Sequence, residues 1–362
     1  MSECINVLYN NKPCYDIIIE NSWDKLSESC ERLNIKNKKI CIVTESNVGP
    51  LYAYKIRQIL EKSAKKVIIY QFPAGEKNKN LNIINEIYEV LIKEKFDRND
   101  MLVAFGGGVT GDMTGFAAAT YLRGIQFIQI PTSLLAQVDS SIGGKTGVDF
   151  KGYKNMVGAF KQPALVYINT ETLKSLNNRE FISGMGEVIK YGFIKDKDFF
   201  DWLSQNITDI LNLDDSALEY IISKSCHAKK IVVENDFTEK GERATLNFGH
   251  TIGHAIEKIK DFSLLHGECV AIGMKAALYI SLKKNMITED EFNRGVKIIS
   301  DFKLPISTSD ISAEDVLEAT MHDKKMDSGV IKFILINGIG NAIIDRTVTQ
   351  DEMSDAIKNV LE

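Results

Sequence analysis

Basic charge, paired cysteines and long apolar runs are all scarce in this 362-residue sequence, and each scarcity removes a class of function. Lysine and arginine number 44 against 49 aspartates and glutamates, a formal net charge of -5, so no broad cationic face for nucleic acid or an anionic membrane is expected. Any basic site must be a local pocket, suited to a phosphorylated small molecule. Six cysteines stand at 4, 14, 30, 41, 226 and 269 without a CxxC pair, which excludes a disulfide framework and a thiolate zinc knuckle. They are expected to be reduced and mostly buried, with Cys4 and Cys14 the most exposed. No apolar run approaches the ~18 residues of a membrane span, and the first residues show no basic stretch followed by an apolar one. A soluble, cytoplasmic protein that binds neither nucleic acid nor membrane is the expectation.

Length and composition suit two domain-sized cores. From residue 39 to about 170, short β-rich runs at 39–44, 66–70, 101–105, 125–130 and 165–168 alternate with helix-length amphipathic segments such as 50–62 and 80–95. That βαβ rhythm predicts a mostly parallel, Rossmann-like α/β sheet domain over 1–174. Beyond it the pattern turns to long helices over 180–193, 214–234, 244–260, 267–284 and 289–300, with a hairpin near 329–346, so 175–362 is expected to be a mainly α-helical domain. The division falls between 169 and 180.

Histidine is sparse as well, but three of the five, His250, His254 and His266, fall within seventeen positions. His250 and His254 stand four apart in an amphipathic run, so their rings project from nearly one helix face, a geometry that suits a divalent metal. The literal HxxxH reading makes both of them ligands. Residue 251 is threonine, so the general base of an HExxH protease is missing. Glu187 and Lys190 stand three apart on the first long helix of the second domain, where a solvated ion pair is the plain reading. Glu187 gains weight because three histidines alone leave a metal without an anionic ligand.

Other motifs point to phosphate. Phe105-Gly-Gly-Gly-Val-Thr-Gly-Asp112 joins a strand to a helix, where backbone amides and the helix N-terminus can hold a pyrophosphate, although it is neither GxGxxG nor a P-loop. Pro73-Ala-Gly-Glu-Lys-Asn-Lys79 follows a strand and offers an acid suited to a ribose. The glycine-rich stretch 137–147, followed by Lys154 and Asn155, is expected to present lysines from loops to phosphate or carboxylate. His227 with Lys229 and Lys230, and His322 with Lys324 and Lys325, read as surface features.

Taken in order, the motifs 106–112, 121–124, 131–146, 154–155, 184–190, 247–254, 266–268 and 323–325 resemble the 3-dehydroquinate synthase family of sugar-phosphate cyclases. The resemblance implies a zinc or cobalt site of Glu187, His250 and His266, with His254 as a proton-transfer group rather than a ligand. It implies substrate contacts from Asp139, Lys145, Asn155, Lys190, Lys229, Arg243, Asn247 and one of Lys324 and Lys325. NAD contacts are implied for Glu76, Lys79, Gly107, Gly108, Val109, Asp112, Thr132, Ser133, Lys145, Lys154, Thr172 and Ser175. Glu239 is implied as a further proton acceptor. A homodimer is implied too, with Arg123 reaching the neighbouring subunit's phosphate. Two departures are local: Leu176-Asn-Asn-Arg-Glu180 stands where Leu-Pro-x-Arg-Glu is common, and Gly186 where alanine is frequent.

The implied reaction converts 3-deoxy-D-arabino-heptulosonate 7-phosphate to 3-dehydroquinate and phosphate. Transient oxidation by NAD makes a C–H acidic, phosphate leaves by β-elimination, the hydride returns, and the ring opens and closes by an aldol step. A related cyclase such as 2-deoxy-scyllo-inosose synthase would take an uncarboxylated hexose phosphate, and Lys145, Lys229, Arg243 and Asn247 together favour the acid. A metal-dependent polyol dehydrogenase would release NADH. A cofactor-binding protein without turnover would have no use for this set of proton-transfer groups.

Overall fold

The computed structural model describes residues 3–237, 241–261, 263–325 and 332–362, with 322–325 described by their helical backbone alone. Their contacts group the chain into two units, 1–176 with 218–230, and 177–217 with 231–362.

In the first unit, strands β1 (Glu3–Tyr9), β2 (Lys12–Glu20), β3 (Lys39–Glu45), β4 (Lys66–Phe72), β5 (Met101–Gly106), β6 (Gln126–Pro131), β7 (Lys145–Phe150), β8 (Tyr153–Phe160) and β9 (Leu165–Asn169) form one large sheet and a hairpin. The sheet order is β1-β2-β9-β6-β5-β3-β4, parallel except for the antiparallel β1–β2 pair. Every residue of β5 and β9 is buried, as both-face coverage of a parallel sheet requires. Ile40, Ile42, Val103 and Ile128 pack on one face with helices α1 (Leu26–Glu31) and α2 (Tyr54–Glu61). Cys41, Val43, Leu102 and Ala104 pack on the other with α3 (Leu81–Lys93) and α4 (Gly108–Thr120). The segment 218–230, expected with the helical domain, groups with this unit: Lys229 Nζ lies 2.8 Å from Asp139 Oδ1, and the Cys226 thiol donates to Gln137 O. The stretch 137–160 is more ordered than the loop expected from its glycines. Lys145 lies on β7, and Lys154 and Asn155 on β8, in an antiparallel pair with a bulge at Asp149.

The second unit is built from α5 (Asn178–Ile194), α6 (Lys197–Gln205), α7 (Ile207–Leu211), part of α8 (Asp215–Asn235), α9 (His250–Ile259), α10 (His266–Lys283), α11 (Glu289–Asp301), α12 (Ala313–Lys325) and α13 (Gln350–Asn359), with the hairpin β10 (Phe333–Ile336) and β11 (Ala342–Asp345). One expected helix is divided: over 244–260 a tight turn ends at Asn247, and α9 begins only at His250. Gly249 between them is left-handed (φ 79°), and a Cβ there would sit 2.6 Å from Val270 O of α10. Only glycine meets both conditions. The break aims His250 from the first turn of α9.

Candidate active site

Three helices converge on the histidines because their backbones touch. A Cβ at Gly186 of α5 would lie 2.8 Å from Gly267 O of α10, and one at Gly253 of α9 would lie 2.7 Å from Cys269 O of α10. These close approaches bring Glu187, His250, His254 and His266 together. His250 Nε2 and His266 Nε2 each lie 3.5 Å from Glu187 Oε1, and the ligand atoms of the three histidines lie within 4.8 Å of one another. Glu187 Oε1 is buried without a hydrogen-bond partner. A buried carboxylate oxygen left unpaired beside two imidazole nitrogens is the donor set of a cation site. His254 is the exposed member of the cluster, its ring centroid 5.1 Å from that of His250.

The electrostatics suit a metal. Burial pushes the Glu187 carboxyl up, but Lys190 and the two histidines outweigh it and hold the group well below the usual range. Burial drives His250 well below an ordinary histidine against the pull of Glu187, and Lys190, His254 and His266 add to this, so the ring is neutral. Without a cation His266 behaves oppositely: burial lowers it, yet the carboxylates of Glu187 and Glu257 beside its two nitrogens push it up to about 9. Lys190 donates to Glu187 Oε2, and both side chains are almost fully buried, so this is no solvated surface pair. Arg243, on the turn before α9, is 2% exposed and donates to Phe237 O. Asn247 ends the same turn. Arg179 grips Glu268 with two bonds of 2.7 Å, tying the start of α5 to the start of α10.

In the first unit the Gly106-Gly-Gly108 loop leaves the end of β5, and α4 starts without a side-chain cap on its first amides. Thr132 is buried beside it, and a Cβ at Gly107 would lie 3.3 Å from Ser133 Oγ. Lys79 Nζ is buried and bonds to Asp112 Oδ2 at 2.7 Å and Asn155 Oδ1 at 2.6 Å, with Glu76 at 4.0 Å. Burial lowers Lys79, but Asp112 and Glu76 more than compensate and raise it. Lys154 lies 3.6 Å from Glu76. Thr172 accepts from Gln137 and donates to Asn169 O, and the Ser175 hydroxyl accepts from Tyr52. Val109 lies in the first turn of α4. Lys145 is exposed on β7, and Arg123 is exposed on the turn before β6.

The structure brings Glu187, Lys190, His250, His254 and His266 into one cluster in the second unit. It brings Glu76, Lys79, Asp112, Lys154 and Asn155 into another in the first. Lys229, read from sequence as a surface feature unless the resemblance held, is buried against Asp139. Glu239 and the side chains of His322, Lys324 and Lys325 lie outside the described residues. Glu257 was missed by sequence reasoning. It is buried 3.7 Å from His266 Nδ1, and its signal was a carboxylate on the stripe His250, His254, Glu257.

Comparison with known proteins agrees over most of the chain. A family model described as 3-dehydroquinate synthase N-terminal matches residues 69–183, and one described as 3-dehydroquinate synthase C-terminal matches 184–326. The 3-dehydroquinate synthase of Acetivibrio thermocellus is 43% identical over 347 residues, covering 96% of this chain and 95% of its own. Among solved structures, 2-epi-5-epi-valiolone synthase from Streptomyces hygroscopicus subsp. jinggangensis 5008, with NAD+ and Zn2+ bound, superposes with a TM-score of 0.89 at 24% identity, over 98% of this chain and 99% of that one. A 2-deoxy-scyllo-inosose synthase complexed with carbaglucose-6-phosphate, NAD+ and Co2+ gives a TM-score of 0.88 at 25% identity, over 99% of this chain and 100% of that one. With the two family models together matching residues 69–326 and a relative above 40% identity over 96% of the chain, the chain belongs to the 3-dehydroquinate synthase family.

Proposed function

We propose that the protein converts 3-deoxy-D-arabino-heptulosonate 7-phosphate to 3-dehydroquinate and phosphate, a step of the shikimate pathway, with NAD recycled in each turnover and one divalent metal ion bound. The observation that carries this reading is the full-length identity to relatives of that name, joined to the Glu187 and histidine cluster. Identity to a 2-deoxy-scyllo-inosose synthase is much lower, at 25%.

Glu187, His250 and His266 would hold the metal, and the orphaned Glu187 Oε1 fits it. The glycine loop, Thr132, Ser133 and the Lys79–Asp112 pair would hold NAD, for which the uncapped start of α4 offers free amides. Bound together, the two groups supply a polarised substrate oxygen and a hydride that leaves and returns, which makes the C–H beside the phosphate-bearing carbon acidic. His254, exposed beside the ligands, is placed to move protons at an imidazole nitrogen during elimination and ring closure. Lys190 and Arg243 supply fixed positive charge for the acidic substrate, and burial strengthens their effect. Glu239 is proposed as a second proton acceptor.

We also propose a cytoplasmic homodimer. All six cysteines are free and four are buried, which fits a reducing compartment. Leu122 and Arg123 both have positive φ, at 49° and 68°, a conformation that costs energy and fixes where the exposed arginine is presented. Mixing Arg123→Ala with a His250→Ala chain should restore partial activity if the arginine serves the partner's site. Phosphate release measured with the seven-carbon acid phosphate and with glucose 6-phosphate tests the main reading. Turnover confined to the hexose phosphate would overturn it.

A further inference from the structure

The imidazole of His266 faces a carboxylate at each nitrogen. Nε2 lies 3.5 Å from Glu187 Oε1, the orphaned oxygen of the metal cluster, and Nδ1 lies 3.7 Å from Glu257 Oε1. Glu257 sits on α9 and is 4% exposed, so its charge has been taken out of water, a cost that persists only where the group is used or compensated. It stands seven residues past His250 and three past His254, which places all three on one face of the helix.

A neutral imidazole has one N–H and one lone pair. For Nε2 to turn its lone pair toward the cluster, the proton must be on Nδ1, and an acceptor must hold it there. His250 has the same arrangement with a different acceptor: its Nδ1 lies 3.0 Å from Phe248 O while Nε2 faces Glu187. One tautomer would serve both rings, with a backbone carbonyl beside Nδ1 of His250 and a buried carboxylate beside Nδ1 of His266. We propose that Glu257 is a positioning residue of the metal centre, whose carboxylate holds the His266 ring in the tautomer and orientation that present Nε2 to a divalent cation. A carboxylate in that place also makes the imidazole a stronger donor than a carbonyl does. The inference rests on the metal reading of the Glu187 and histidine cluster given above.

The test is a titration of metal-free protein with Zn(II) in competition with a chromogenic chelator, on the full chain and on Glu257→Gln and Glu257→Ala. Glutamine keeps an acceptor of the same shape without the charge, and Zn(II) affinity should fall about tenfold; alanine should take the loss towards a hundredfold. The metal-free Glu257→Gln protein should melt closer to the wild-type temperature than Glu257→Ala does, because the isostere keeps the packing around His266. Retained NAD binding reports that each variant is folded. The Co(II) absorption bands should shift in Glu257→Ala as the His266 ring reorients. Zn(II) affinity within twofold of wild type in either folded variant would overturn the proposal, as would equal losses in both variants accompanied by lower melting temperatures, which mark a packing role. A wild-type chain that binds no stoichiometric Zn(II) sinks the metal reading itself, and this proposal with it.

Discussion

Gly267→Ala should dismantle the Glu187 and histidine cluster without touching any of its members. The new Cβ would fall inside the van der Waals sphere of Ser183 O and 2.6 Å from its carbonyl carbon, where ordinary contact begins at 3.4 Å. Both offending atoms are backbone of α5, so no side chain can swing aside, and α10 must retreat from α5 by about 0.8 Å or more. His266 is the residue before Gly267, and Glu187 lies one helical turn past Ser183, so the 3.5 Å approach between them opens by a similar amount. Metal sites tolerate roughly 0.2 Å in ligand distance. The bond from Gly267 N–H to Ser183 Oγ, 3.1 Å long, is lost as well. Overpacking of this kind costs about 1–3 kcal/mol, which lowers the melting temperature of a unit of this size by roughly 2–12 °C. Zn(II) affinity should drop at least tenfold while NAD binding by the first unit persists. The assay is thermal melting of the metal-free protein beside a Zn(II) competition titration. A Gly267→Ala protein with wild-type melting and wild-type Zn(II) affinity would refute the claim that backbone contact sets the ligand spacing.

Exhaustive chelation should abolish phosphate release, and Zn(II) or Co(II) should restore it; unchanged turnover in verified metal-free protein counts against the metal centre. NADH absorbance should show no net rise during full conversion, whereas stoichiometric accumulation points to a dehydrogenase. Lys154→Ala should leave stability within about 0.5 kcal/mol, since its ion pair with Glu76 is partly exposed, yet weaken NAD roughly tenfold or more through the loss of a charged hydrogen bond; equal NAD affinity by calorimetry excludes the contact. Burial pushes the Cys30 and Cys41 thiols up to about 12 from the unfolded value of 9.0. A raised folded pKa gives stability that is full below pH 9.0 and lost as pH rises towards about 12. Denaturant melts across that window should show the decline, and Cys30→Ala/Cys41→Ala should flatten it. An equally steep decline in the double variant assigns it to other groups.

The parallel sheet was legible because fully covered strands are near-continuous apolar runs: Ile40-Cys-Ile-Val43 and Leu102-Val-Ala-Phe105 carry their own burial in their composition. β1 and β2 form a hairpin across Asn10 and Asn11 but were not read, since charged and polar residues interrupt them and the strand that β2 joins in the sheet, β9, is far along the chain. The hairpin at 145–160 hid behind its glycines. Gly147 and Gly158 face each other, and a Cβ on either would strike the opposite backbone. The glycines there permit close strand pairing instead of marking a loop. At the site, histidine spacing put His250 and His254 on one helix face, but only the fold shows that Glu187 and Lys190 are buried, because an i,i+3 pair looks the same on a wet face and a dry one. The division of the expected helix at Gly249 depended on Val270 O of another helix, which no local pattern contains.

The grouping of 218–230 with the first unit has a consequence for how the chain is made. A ribosome delivers the sheet strands by residue 169, but the segment that carries Cys226 and Lys229 arrives only after the first helices of the second unit have emerged. Until then Asp139 lacks its buried lysine and Gln137 O lacks the thiol that meets it. The nascent sheet unit must therefore wait, partly finished, for a piece of chain encoded inside its neighbour. Domain-by-domain maturation, the common order for chains of this size, is closed to it. A gene cut at 176 should accordingly yield a fragment in need of chaperones, and the missing helix supplied as a separate peptide should complement it.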